Sequence, residues 1–232
     1  MDVLGFEERF TRDGLARIRA EYDRLIGHVK GQRHKYDIVS TSSGHLAFGV
    51  NMYANTYFSD TLLFWGPYAG PFLNSFVSLI CDAVCFGIES GFPLRGAISV
   101  GDAILDNDAG VFLGLPIIEA ARAEECQEWI GVSIGHTFAD ERVAAAFDPT
   151  LLLPYESQFK KHDEKWKRYV VELAIDWPRR WRETRKSDLR ALIKSMDVDS
   201  RYSQYYRNTL GFIEFSELNH DWFLKIPNLK PG

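Results

Sequence analysis

With 232 residues the chain has room for one large domain, or one of about 150 residues with an appendage. Its hydrophobic share of 46% is ordinary for a globular protein, and a net charge of −5 excludes a chain-wide basic footprint for nucleic acid. Three cysteines, Cys81, Cys85 and Cys126, are an odd number without paired ligand spacing, which argues for buried thiols in a reducing compartment and against a disulfide frame or a zinc site. No apolar run reads as reaching the roughly 18 residues of a membrane span, and no signal-peptide pattern opens the chain, so a cytoplasmic protein without a membrane partner is expected.

Asp2-Val3-Leu4 reads as the tail of a strand, and Gly5 lets the backbone turn sharply after it. Only Met1 precedes Asp2, as though the strand began upstream. Leu15, Ile18, Tyr22, Leu25, Ile26 and Val29 recur at three/four spacing, which predicts an amphipathic helix from Thr11 to Val29 with Thr11 as cap and Asp13 in its first turn. Tyr36 to Tyr53 reads as strand and loop leading into Asn55–Trp65, where two short β runs meet at Asp60. A carboxylate between such runs sits at a hairpin turn, faces water, or holds a cation against the sheet.

Phe72 to Ile88 is strongly apolar and predicts a buried helix, ended by Gly87 and Gly91 and stopped by Pro93; Cys81 and Cys85 are packing residues on it. Leu94 to Asp102 is a strand in small residues, Asp106–Gly110 a turn, and Val111–Leu113 a short returning strand. The acidic turn lacks the downstream bidentate Glu of a calcium loop and reads as solvated. Gly114-Leu115-Pro116 opens a helix, Ile117 to Glu128, in which Ala120 and Ala121 pack closely and Arg122 follows; Trp129 to Ile134 returns as a strand. The fold class expected is α+β, a mainly antiparallel sheet with packed helices.

From Pro149 the composition shifts. Lys160 to Arg190 holds eleven Lys/Arg against six Asp/Glu, with Trp166, Tyr169, Trp177 and Trp181 among them. Lys165–Leu173 and Arg185–Met196 read as helical, broken at Pro178. A basic, tryptophan-containing helix suits phosphate or RNA, but a helical appendage with its aromatics packed on the core and its charges in water is the favoured reading. Two parts are expected: a domain over 1–148 and a mostly helical extension over 149–232.

Three pieces line up in order: Asp2-Val3-Leu4-Gly5-Phe6, then Phe58-Ser59-Asp60, then Arg95 to Gly101 followed by Gly114 to Glu124. Together they resemble the catalytic domain of class III nucleotide cyclases, and most closely the bacterial pyrimidine cyclases of the Pycsar antiphage system, over about residues 1 to 136. The resemblance implies a homodimer, head-to-tail, that converts UTP, ahead of CTP, to the 3′,5′-cyclic monophosphate and pyrophosphate, with two divalent ions (Mn²⁺ or Mg²⁺) as cofactors. The product would act as a second messenger on a separate effector in antiphage defence. By the same resemblance Asp2 and Asp60 are the metal carboxylates and the Val3 carbonyl an extra ligand, because hard cations need oxygen donors. Leu4, Gly5 and Phe6 would turn backbone N–H groups toward the triphosphate. Arg122 would steady the charged phosphorus on the other subunit's substrate, a task suited to a permanently charged, bidentate guanidinium.

The chain departs from the family at the base. Ile118 stands where a ribose-orienting Asn is usual, Leu115 where a polar base-reading residue is usual, and Thr56 where a purine-reading Lys or Glu is usual. Thr56, Tyr57 and Arg95 are the expected base-side residues; a large Tyr57 favours a smaller, pyrimidine base. Lys225 is the expected triphosphate lysine. Two alternatives accompany this reading: a non-catalytic cyclase-like module that binds a nucleotide or a partner through the basic C-terminal helices, and a purine cyclase with a rebuilt pocket.

Overall fold

A short strand at the very start of the chain, β1 (Asp2–Val3), lies inside the main sheet, with strands on both sides of it. The computed structural model describes residues 1–36, 38–40, 46–48, 53–68, 70–139, 148–155 and 170–225. After β1 come α1 (Phe6–Asp13), α2 (Leu15–Tyr36), β2 (Ile38–Ser40), β3 (Leu46–Phe48), β4 (Ala54–Phe58), β5 (Thr61–Trp65), α3 (Gly70–Glu89), β6 (Leu94–Ile98), β7 (Ala103–Asp106) and β8 (Val111–Gly114). Then follow α4 (Leu115–Cys126), β9 (Gly131–Gly135), β10 (Leu152–Leu153), β11 (Val170–Ile175), α5 (Trp177–Thr184), α6 (Leu189–Met196) and α7 (Ser203–Leu218). Seven strands form one sheet in the order β10-β11-β9-β6-β1-β5-β4, and two hairpins, β2–β3 and β7–β8, stand apart from it. Among the described residues only the β6–β9 pair is parallel. The molecule is α+β, as expected, and β1 meets both β5 and β6 antiparallel, a split β-α-β-β-α-β arrangement.

Local chemistry explains the departures from the expected elements. The helix predicted from Thr11 is two helices, because the left-handed Gly14 (φ 76°) ends α1. Thr11 is therefore no cap; its hydroxyl donates back to the Glu7 carbonyl at 3.0 Å. Ile18, Tyr22, Leu25, Ile26 and Val29 are buried as the spacing predicted, whereas Leu15 is exposed. α3 ends within one residue of the reading, and of the two glycines named it is Gly91 that follows the last turn. Gly87 is still helical, and the end is made by Phe92 N–H to Gly87 C=O (2.6 Å) and Gly91 N–H to Ile88 C=O (3.0 Å). The segment Phe72–Glu89 is also long and apolar enough to cross a membrane, contrary to the sequence reading; here 61% of it is buried against the rest of the protein. Cys81, Cys85 and Cys126 are buried and outside any disulfide, as expected.

The largest correction concerns the C-terminal part. The expected helix over Lys165–Leu173 is, over its described residues, strand β11, whose β-branched and apolar Val170-Val171-Glu172-Leu173 suit a sheet. Residues 156–169 lie outside the described residues. Pro178 opens α5, where a missing N–H costs nothing, instead of breaking a helix, and Asp176 caps it, accepting from Arg179 N–H at 3.1 Å. Because β10 and β11 extend the sheet from β9, the expected boundary at 148/149 runs through a shared sheet. Trp129, Trp177, Trp181 and Phe212 are buried in one common core with Val3, Leu94 and Val84. Among the described basic residues of this part, Arg180 grips Asp82 through two bonds (2.8 and 3.1 Å), and Arg185 reaches Glu89 at 3.0 Å.

Candidate functional site

The hairpin β4–β5 closes with a two-residue turn, Ser59–Asp60, since Phe58 pairs with Thr61. Ser59 takes φ 52° there, which a small polar residue tolerates. Asp60 is thus a turn carboxylate. It is also a neighbour of β1: Asp2 pairs with Thr61, and Val3 N–H donates to the Asp60 carbonyl at 3.1 Å. Of the alternatives read from the sequence, the turn position is the one seen here.

The pair is electrostatically strained. Burial pushes the Asp2 carboxyl above its ordinary range, the charge of Asp60 pushes it further, and Arg95 opposes both. Among the described residues the Asp60 carboxylate makes no ion pair. Two carboxylates at adjacent backbone positions, one without a counter-ion, are a donor set that a hard divalent cation fits, with substrate oxygens or water completing its shell. No group of three or more His, Cys, Asp or Glu side chains comes together among the described residues, so such a cation would rest on two side chains at most. Val3, the expected extra ligand, is buried.

Gly5 has the left-handed backbone (φ 69°, ψ 29°) that turns β1 directly into α1, a conformation costly for residues with a Cβ. No side chain caps the α1 N-terminus, and its first turn carries Glu7 and Glu8. Leu4 is buried, with its N–H bonded to the Pro93 carbonyl at 2.9 Å, while Phe6 packs its ring on Tyr22 at 6.3 Å. The turn borders a cleft of about 390 Å³ whose arginines are paired, Arg12 to Asp13 (3.0 Å) and Arg17 to Glu21 (3.1 Å). An apolar groove of about 190 Å³ lies beside Met1, Phe64, Trp65, Ser99 and Pro116. Neither hollow contains Asp2 or Asp60.

The remaining predicted residues fall in different places. Thr56 and Tyr57 are consecutive in β4 and so point to opposite faces of the sheet; only one can line a given pocket. Tyr57 is 43% exposed, with Tyr22 at 5.8 Å and the Lys30 amine 6.0 Å above its ring. Arg95 sits opposite Asp2 across β1–β6, and its guanidinium is held inside the chain: 3.6 Å from the Asp2 carboxylate, 2.6 Å from Glu124 Oε1, and donating to the Gln127 carbonyl at 3.3 Å. The Glu124 approach is an ion pair without hydrogen-bond alignment. Arg95 thus clamps β1 to the end of α4. Arg122 is 58% exposed and 3.6 Å from Glu125; with Leu115 and Ile118 it forms an outward face of α4. Lys225 ends a 3₁₀ turn, Trp222–Lys225, whose Trp222 indole donates to the Leu152 carbonyl of β10 at 2.8 Å. β10 is four strands from β1, about 19 Å at ~4.8 Å per strand, so the turn carrying Lys225 docks at the opposite edge of the sheet. The Lys225 side chain lies outside the described residues.

One residue escaped the sequence reading. Tyr22 counted there as an apolar helix position, yet its hydroxyl is buried without a hydrogen-bond partner and senses the charges of Asp60 and Asp2. Helical spacing reports the ring and hides the hydroxyl. No protein-family model, curated protein or solved structure matches this chain.

Proposed function

We propose that this chain is a nucleotide cyclase acting on a pyrimidine triphosphate, UTP ahead of CTP, and releasing the 3′,5′-cyclic monophosphate and pyrophosphate. The observation that carries the reading is the meeting of Asp2 and Asp60 beside the uncapped turn at Gly5. Asp2 and Asp60 would hold divalent ions, which when bound supply acidity to the 3′-hydroxyl and neutralise the triphosphate. The turn at Gly5–Phe6 orients the phosphates through main-chain N–H groups, the Leu4 N–H being already bonded to the Pro93 carbonyl, and Tyr57 narrows the space for the base. Arg122 supplies charge to the phosphorus of a substrate bound on a second copy, a role supported by its outward position on α4. The exposed Leu113, Leu115, Ile118 and Ile104 around it suit a surface covered by that copy. In this reading the product serves as a messenger to a separate effector in antiphage defence.

A second reading, a nucleotide-binding module without turnover, draws support from Arg95, which already neutralises part of Asp2. The test is incubation of the protein with ATP, GTP, CTP and UTP and Mn²⁺, with products identified by mass spectrometry. One cyclic pyrimidine monophosphate is the expected result. A cyclic purine product would reject the base assignment, and triphosphate binding with no product from any of the four favours the module.

A further inference from the structure

Tyr22 projects from α2 into a ring of aromatic side chains: Phe6 at 6.3 Å, Tyr57 at 5.8 Å and Phe92 at 6.0 Å, each packed edge-on or nearly so. The residue is 8% exposed and its hydroxyl has no partner. Leaving a buried hydroxyl unpaired is unfavourable, and phenylalanine would fill the same space without that cost. On β4 a second group is in the same condition. Asn55 shares a face with Tyr57, and both of its amide atoms are buried without a partner. The phenol is pushed up to about 12, first by burial and then by the charges of Asp60, Tyr57 and Asp2, so it stays protonated and is a donor. Phe6, one of its three ring neighbours, belongs to the turn whose N–H groups are uncapped.

We propose that the Tyr22 hydroxyl donates a hydrogen bond to a phosphate oxygen of the triphosphate held at Asp2, Asp60 and the Gly5–Phe6 turn, making it a substrate-positioning residue. The inference rests on the cyclase reading for its ligand. The hydroxyl is closed from solvent, and the ring beside it that can move is the 43% exposed Tyr57; ligand entry swings Tyr57 aside and gives the orphaned donor its acceptor. A neutral phenol adds no charge to a site that already holds two carboxylates, and it hydrogen-bonds an anion more strongly than it would a neutral group.

The experiment titrates wild type and Tyr22→Phe with 3′-deoxy-UTP in Mn²⁺ by calorimetry. This probe keeps the triphosphate and lacks the attacking oxygen. Melting temperatures of the free proteins and cyclisation of UTP are measured in parallel. Tyr22→Phe is expected to bind about tenfold more weakly, the scale of one hydrogen bond to a charged acceptor, while the free variant melts no lower than wild type. Unchanged affinity with active wild type overturns the role of Tyr22 and leaves the cyclase reading standing. A variant melting several degrees lower shows the hydroxyl to be structural and also overturns it. Wild type that neither binds the probe nor cyclises UTP overturns both.

Discussion

The two ends of the main sheet are built for different purposes. At the β9–β11 end, Trp129, Trp177, Trp181 and Phe212 are 0–2% exposed, and α7 is tied on by hydrogen bonds such as Ile130 N–H to Thr209 Oγ1 at 2.8 Å. At the β1–β5–β4 end, Tyr57 and Phe58 are 43% and 53% exposed, two carboxylates sit at adjacent backbone positions, and the Tyr22 hydroxyl lacks a partner. The first end removes apolar area from water and follows the ordinary rules of a core. The second leaves the Tyr22 hydroxyl and the Asn55 amide without partners, although the Trp177 indole N–H of the first end is also unpaired. In the proposed reading the first end supplies stability and the second chemistry.

The most damaging change to the fold is expected at the packed end. Trp177→Ala deletes a fully buried indole and is expected to cost about 3–5 kcal/mol. For a chain of this size that lowers the melting temperature by about 10 °C in a thermal denaturation scan. A fall under ~3 °C would erase the distinction between the two ends. Next in size is a test of sharing between copies. Asp60→Ala and Arg122→Ala are each expected to be inactive alone, but an equal mixture refolded together regains about a quarter of wild-type activity, because half the dimers are mixed and each of those holds one intact site. No recovery would place both residues in one chain's site, or neither in any.

The smallest effect is in pH. Asp2 has a folded pKa raised above the ordinary 3.8, so its contribution to stability is complete below that value and is lost as pH rises through the raised one. Asp2→Asn keeps a neutral side chain throughout. Melting curves of the two proteins are expected to coincide in acid and to diverge in the variant's favour at neutral pH, by no more than about 2–4 °C. Mn²⁺ is expected to raise the wild-type melting temperature at neutral pH and to leave that of the variant nearly unchanged. A variant less stable than wild type at pH 7 would mean that the Arg95 ion pair outweighs the burial and repulsion.

Much of this was legible in the residues, and what was not has identifiable causes. Apolar spacing located the buried faces of α2 and α3, and the Pro-Gly punctuation located the start of α4 and the stop after α3. The alternation signal failed at β11, because a short apolar run cannot be told from a helix segment by periodicity when basic residues precede it. Pro178 was misread as a breaker because a proline at a helix start and one that ends a helix differ only in what caps them, here Asp176. At the site, the order of motifs indicated that Asp2 and Asp60 belong together. It could not show that Arg95 is held by Glu124 and Gln127, since that depends on where α4 ends relative to β6. Nor could it separate Thr56 from Tyr57, which strand pleat sends to opposite faces.

The central claim is that the Asp2–Asp60 end carries chemistry and little stability. It is tested most directly by measuring product from UTP and the melting temperature on the same samples of wild type and Asp60→Ala. The expectation is cyclic UMP from wild type, a loss on the order of 10³-fold or more in the variant, and melting temperatures within a few degrees of each other. Product formation that survives Asp60→Ala, or a variant that unfolds, would contradict it.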